Sequence, residues 1–506
     1  MYDAIIIGAG LGGLTCAAKL ASNGKSVLVL EKLDHIGGTS YMFKRNGYIF
    51  PMGPLSFSFP HLVKKMLKDV GVKKEITFER NHFQLITPYI DIIYSQEWNE
   101  FKDKLRKFFK SDENGINACF DDFSSIFDAI KDVHEWNPEF LIGKKRNNAK
   151  KELTNYEKQF KLIDENNTLS SKSYLKSCLK DDTLIRLLGS QGSYTPMMSM
   201  THLAFLWNVM SIEGIWFPSC GIHGMSDLLN DVIIDNGGEV RLNSNVVEIL
   251  LKDSKAVGVK LASNEVHESE WIIVNADYKK TVLNLINKKE IPQKFLDRVI
   301  NSRYTSSELS IYLGIDPSEV NFTKMRATHL FYRSKFDEKK ENDPEYFENK
   351  EIEICDWSSK SPLFAPEGKK VLILRVNMPY EHFEHWKIGE KKRKDGYDEY
   401  KRSLANKMIK VVENILPGIS NSIDVMEIAT PLTYEDWGQR SYGSIAGWNR
   451  DMTKLYFKKK SLIENPFENL LNVGIYSFLE PFLGGVPTSI YSGSLAADYI
   501  LEKNKR

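Results

Sequence analysis

The chain has 506 residues, 42% of them hydrophobic, and balances 68 Lys+Arg against 67 Asp+Glu for a net charge of +1. That length exceeds one ordinary core and predicts two domains, while the neutral balance leaves no global field to draw nucleic acid or anionic lipid. Five cysteines stand singly with no CxxC, as in a reducing compartment without structural disulfides, and the most apolar stretch is too short to span a bilayer.

Tyr2 to Glu31 reads YDAIIIGAGLGGLTCAAKLASNGKSVLVLE. Ala4 to Ile7 is an apolar run predicted as a buried strand, and it feeds directly into a GxGxxG formed by Gly8, Gly10 and Gly13. A helix is expected from Leu11 to Asn23, stopped by Gly24, and then a second parallel strand, Val27 to Leu30, that delivers Glu31 at its carboxyl end. Gly8 permits the tight turn, Gly10 lets backbone N–H groups approach a pyrophosphate at the positive end of the helix, and Gly13 lets helix and strand pack closely. Glu31 can accept hydrogen bonds from ribose hydroxyls and repels a 2′-phosphate. The unit predicts a bound adenine dinucleotide other than NADP. The first strand begins too early to leave room for a signal peptide before it, so a cytoplasmic location is expected.

A second glycine pair, Gly37-Gly38, followed by Thr39-Ser40, comes directly after the ribose-binding acid. It marks another close backbone approach, which a nicotinamide Rossmann domain does not require. At this point the sequence resembles the FAD-dependent oxidoreductases of the phytoene desaturase, carotenoid isomerase and retinol saturase group, over nearly its whole length. Gly37-Gly38-Thr39-Ser40 is similar to the isomerase and saturase branch, with a small residue where many desaturases and amine oxidases carry arginine. Phe50-Pro51-Met52-Gly53 departs from the family's Phe-Asp-x-Gly by lacking the acid. The resemblance implies an α/β fold, a two-domain flavoprotein of the amine oxidase and phytoene desaturase type. Segments 1–58, 218–290 and 465–506 form its FAD-binding Rossmann-type domain, and segments 59–217 and 291–464 a discontinuous α+β substrate domain.

Farther along, 75–96 alternates apolar and polar residues and predicts paired strands outside the first sheet. Trp98, Phe101, Leu105, Phe108 and Phe109 then share a helical face opposite several lysines, and Phe123, Ile126, Phe127, Ile130 and Val133 mark a second helix. These faces suit ordinary core packing, or peripheral membrane contact in which Phe101, Leu105 and Phe108 insert. The basic run 144–161 is expected to be a solvated face. Leu203 to Phe217 is apolar on all sides and is expected to be buried while lining a long tunnel to the flavin with Phe205, Trp207, Met210 and Trp216. Phe217 to Met225 resembles the family's turn back into the flavin domain.

A helix is predicted from Met225 to Asn236, followed by a hairpin that turns at Asp253-Ser254-Lys255 and a strand ending near Asp277. The resemblance places Val246 beside the adenine. Strands are expected at 308–315, 329–332, 369–377 and 422–427, and a helix at 404–416, with 337–350 and 387–401 as charged loops. Near the end, Gly474 and the turn Gly484-Gly485-Val486 precede a helix from Thr488 to Leu501, a second anion or carbonyl site by the helix-dipole argument. The resemblance puts Gly484, Gly485 and Val486 against the flavin ring. It adds Leu11 and Lys32 to the expected cofactor contacts.

The resemblance implies desaturation, saturation or cis/trans isomerisation at carbon-carbon bonds of a long apolar polyene or isoprenoid, with chemistry supplied by the flavin. Glu480, beside the last glycine turn, is the one candidate acid or base, against an alternative role as a surface carboxylate. Tyr442 and Trp448 could wall the pocket or belong to the core. Glu381 to His385 carries two histidines but not the HExxH order, and no metal is expected. Two alternatives remain: a flavin amine oxidase or protoporphyrinogen-oxidase-like enzyme, and a non-catalytic prenyl-binding protein of the GDP-dissociation-inhibitor type.

Overall fold

The computed structural model describes residues 1–94, 97–133, 141–190, 198–340, 342–449, 461–479 and 484–503. The N-terminal unit forms as expected: strand Tyr2–Ile7, helix Leu11–Ser22 and strand Val27–Leu30. Ala4, Ile5, Ile6 and Leu28 are fully buried, since a parallel strand covered on both faces must be apolar on both. Parallel neighbours come from far along the chain. Glu239–Arg241 pairs with Val27–Leu30, Val266–Val274 pairs with Tyr2–Ile7, and Leu470–Asn472 adds beside Val266–Val274.

Val246–Lys252 and Lys255–Leu261 extend this sheet as an antiparallel hairpin. Asp253 and Ser254 take φ of 51° and 62°, the left-handed pair that matches a two-residue turn to strand twist. Helix Leu11–Ser22 is crossed at very short range by the C-terminal helix Gly485–Lys503. A Cβ added to Gly493 would lie 2.2 Å from the Gly12 carbonyl oxygen, so glycine at the crossing lets the backbones touch. Helix Pro60–Asp69 and residues Leu141, Ile142 and Ala149 also join the core of this domain, past the change of domain expected after residue 58.

Among the described residues the second sheet has seven strands, in the order Ile423–Ala429, Ser307–Ile315, Lys370–Met378, Ile352–Asp356, His329–Tyr332, Phe83–Ile86, Asp91–Ile93. Its last two strands belong to the expected paired region at 75–96, so both inserted segments share one sheet. Alternation gives the sheet two unlike faces. Leu309, Ile311, Leu313, Leu372, Leu374, Ile352 and Ile354 form the outer core under helix Tyr397–Val412. The opposite face, carrying Glu308, Ser310, Arg375 and Glu353, turns toward the first domain.

Beside the strands Phe83–Ile86 and Asp91–Ile93, and sharing a core with them, a helical bundle is built from helices such as Asn99–Phe108, Glu113–Val133 and Met200–Asn208. Phe101 is buried against Phe120 and Trp207, with ring centroids 5.5 and 5.3 Å away, and Leu105 is fully buried. Insertion of Phe101 and Leu105 into a bilayer is thereby corrected: the apolar stripe serves the bundle, and Phe108, 53% exposed, alone of the three faces out. No helix among the described residues is long and apolar enough to cross a membrane. The charged segments expected as loops are more ordered. Lys387–Gly389 and Lys392–Arg393 form a small hairpin, and Glu345 accepts hydrogen bonds from Tyr400 and Lys407.

Candidate functional site

The site grows from the first glycine turn. Gly8, at φ 97°, leaves the strand and donates its N–H to Leu30 O at 2.8 Å. Gly13 packs so near that a Cβ there would sit 2.3 Å from Gly8 O. Helix Leu11–Ser22 starts after Gly10 with no side-chain cap and no acid in its first turn, so its N-terminal N–H groups stay available to an anion. A Cβ on Gly10 would fall 2.5 Å from Asn275 Nδ2, in the same cradle. Gly37, at φ 99°, bridges to Gly10 and donates to Ala9 O at 2.8 Å, so the two glycine turns lie against each other. Ser40 Oγ donates back to Gly37 O at 2.7 Å and meets Ser226 Oγ at 2.9 Å, and Thr39 Oγ1 accepts from Arg440 at 3.1 Å.

Glu31 is held rather than loose. Its carboxylate accepts from the N–H groups of Ala9 and Leu33, at 2.8 and 2.9 Å, at the rim of the cradle. Lys32 beside it donates to Gln439 at 2.6 Å. The backbone of Ser244 donates to Glu31 O, which brings Asn245 and Val246 to the same rim. At the end of the neighbouring strand, buried Asp277 accepts from Ser441 N at 2.7 Å and from Tyr304 OH at 3.1 Å, tying the loop after residue 440 to the first domain. Gly474 and Gly484 have φ of 89° and 80°, and helix Gly485–Lys503 opens into the cavity through Gly485, Val486 and Ser489. Glu480 lies outside the described residues.

Gly8, Gly10, Glu31, the turn at Gly37 to Ser40, Asp277, Arg440 and the start of helix Gly485–Lys503 border one cavity of about 630 Å³. It is lined by most of the expected cofactor residues, including Gly8, Gly10, Leu11, Glu31, Lys32 and Val246, and its far wall is the inner face of the second sheet. An uncapped helix start, two side-chain-free turns and an anchored acid fit a dinucleotide with its pyrophosphate on the helix and a ribose at Glu31.

The far wall carries a charged cluster that motif reading missed. Arg375 and Glu353 are cross-strand partners, with Arg375 Nη1 3.8 Å from Glu353 Oε2. Glu353 also pairs closely with His329. Tyr434 OH donates to Glu308 Oε1 at 2.5 Å, and Ser310 Oγ donates to the same oxygen at 3.1 Å. Burial raises the Glu353 carboxyl, yet the charges of Arg375 and His329 outweigh it and hold the group well below its usual range. Ligand atoms of His329, Glu353 and Cys355 lie within 4.8 Å of one another. Arg375 already faces Glu353 and burial keeps the Cys355 thiol protonated, an environment poorly suited to a cation. The signal in the sequence was Arg375 as a single charge inside the apolar run VLILRVNM, while Glu353 in IEICD stands near a second acid, Asp356.

The expected pocket residues sit elsewhere. Phe205 and Trp207 are buried in the helical bundle, and the Trp207 indole N–H donates to Leu188 O at 2.7 Å. Met210 is half-buried in a π-helical turn, and Trp216 is half-buried in a strand with Arg80 5.9 Å over its ring. None of the four borders the 630 Å³ cavity. Their segment is apolar all round because its helix runs through the middle of a bundle, where every face meets another helix. Trp448 is core and Tyr442 is 49% exposed.

A family profile described as flavin containing amine oxidoreductase matches residues 11–501. Chloroplastic prolycopene isomerase of Arabidopsis thaliana is 27% identical, over 100% of this chain and 84% of its own length. The 1-hydroxycarotenoid 3,4-desaturase of a Flavobacterium strain is 24% identical, over the full length of both chains. Among solved structures, cyclohexylamine oxidase from Brevibacterium oxydans superposes with a TM-score of 0.63 at 15% identity, covering 100% of each chain.

Proposed function

The chain belongs to the flavin-containing amine oxidoreductases, and on that premise we propose that it holds FAD and desaturates, saturates or isomerises carbon-carbon bonds of a polyene or isoprenoid. The observation that carries the reading is the single cavity joining a complete dinucleotide cradle to the inner face of the second sheet. The activities for which two relatives are named, on prolycopene and on a hydroxycarotenoid, support a polyene substrate. In this reading Gly8, Gly10, Leu11 and Gly13 take the pyrophosphate, Glu31 the adenosine ribose, and Val246 the adenine edge. Gly37, Gly38, Thr39 and Ser40 bring backbone to the cofactor, and Gly474, Gly484, Gly485 and Val486 close the ring end with a helix N-terminus. Bound flavin supplies hydride transfer. The chain's own part is to orient the substrate's reacting bond against the ring and exclude water, with Arg375, Glu353 and Glu308 forming the polar wall opposite.

A cytoplasmic enzyme with peripheral membrane contact remains part of the proposal, the exposed Phe108 being the remaining insertion residue from the expected set. Amine oxidation is the second reading, since Glu308 and Glu353 border the cavity on the sheet face. Arg375 beside them opposes an ammonium group there. The deciding experiment is to release and identify the cofactor from purified protein, then mix the holoprotein anaerobically with a panel of polyenes and, separately, simple amines. Product chromatography and flavin bleaching with polyenes support the proposal; bleaching by amines alone overturns it.

A further inference from the structure

Arg375 is 91% buried at 9% exposure, and it borders the cavity. Its guanidinium donates no hydrogen bond to any described residue, and its ion-pair partner Glu353 stands off at 3.8 Å. The Arg375 guanidinium nitrogens open onto the cavity, so their N–H donors are available to an acceptor that arrives there. Glu308 stands diagonally across the antiparallel pair, since Ser310 is the register partner of Arg375 and Glu308 lies two residues earlier on the same face. Both hydrogen bonds to Glu308 fall on Oε1, leaving Oε2 as an open acceptor on a residue that also borders the cavity.

The charges select the ligand. Glu353 already pairs with His329 and faces Arg375, so a ligand carboxylate would meet Glu308 and Glu353 at short range and an ammonium would meet Arg375. A hydroxyl suits both partners, accepting from Arg375 while donating to Glu308. We propose that Arg375 and Glu308 together fix the hydroxyl end of the substrate, making an oxygenated polyene or isoprenoid alcohol the preferred ligand over the parent hydrocarbon. This rests on the polyene reading above.

The test titrates the flavin absorbance of the holoprotein with matched pairs: all-trans-retinol against its deoxy hydrocarbon, and 1-hydroxylycopene against lycopene to cover the longer chain length. In at least one pair the alcohol should bind ~10-fold or more tightly, the scale of a hydrogen bond to a charged group. Arg375→Gln and Glu308→Gln should each pull that ratio toward one with flavin content retained, a result that a purely structural role would not produce. If Arg375→Gln does not fold, Glu308→Gln decides. Equal binding of alcohol and hydrocarbon by the wild type, or a ratio that survives the substitutions, overturns this inference alone. Binding of no polyene overturns it together with the proposed function.

Discussion

The dinucleotide cradle and the inner face of the second sheet border the same cavity and prepare for ligands by opposite means. At the cradle, recognition rests on the absence of side chains: Gly10, Gly13 and Gly37 leave room for backbone N–H groups to come close, and one acid is pinned at the rim. At the sheet face, recognition rests on side chains that are hard to bury, with Arg375, Glu353 and Glu308 balancing one another. Steric crowding therefore threatens the first and protonation the second. A dinucleotide's phosphates are common to many reactions, whereas the proposed substrate contacts lie in the charge pattern opposite.

The largest effect should come from crowding the cradle. Gly10→Val places a branched side chain where Asn275 already leaves 2.5 Å, and on the proposed path of the pyrophosphate. The purified variant should be colourless, and full flavin occupancy in it would break the steric account. Next, Trp207→Ala should destabilise the protein by about 3–5 kcal/mol, the usual cost of deleting a buried large aromatic. Denaturant unfolding would measure this, and flavin content in the folded fraction should stay at the wild-type level because the bundle does not border the cavity.

The charged wall should reveal itself in acid. Glu353, held down to about 2 by Arg375 and His329 against the upward pull of burial, lies below the ~4.3 of an unfolded glutamate. Its folded value is depressed, so its contribution to stability is complete above about pH 4.3 and is lost as pH falls toward 2. Arg375→Met removes a principal cause of that depression, and acid unfolding followed by tryptophan fluorescence should begin at higher pH. An unchanged acid midpoint would show that the pair does not govern this region. The smallest effect is expected from Phe108→Ser, within about 0.5 kcal/mol of wild type, because the ring is 53% exposed. Liposome flotation of this variant beside the wild type tests the remaining membrane contact; equal flotation would remove Phe108 from that role.

Most of the first domain was legible in the sequence. The strand before Gly8, the helix after Gly10, the acid at residue 31 and the hairpin turn at Asp253-Ser254 all depend on neighbours within a few residues. The amphipathic helix at 99–108 was legible as a helix, but its partner was not: a stripe of Phe101 and Leu105 fits a bundle as well as a bilayer, and Phe120 and Trp207 decided for the bundle. The same ambiguity applied to Trp207, whose burial follows from helices packed on every side of it.

By itself, then, the sequence determined the dinucleotide unit and the alternation of each strand, because backbone geometry and hydrophobic period are local properties. Alternation says only that Glu308 shares a face with Ser310 on its strand, and Glu353 with Cys355 on theirs. Which of the two faces turns inward was decided by helix Tyr397–Val412 covering the apolar side. That Arg375 meets Glu353 and stands diagonal to Glu308 was decided by antiparallel register between strands many residues apart in the chain. A shift of one residue in that register would have turned every one of these charges into the apolar core, and only the packed sheet, with both faces committed, forbids it.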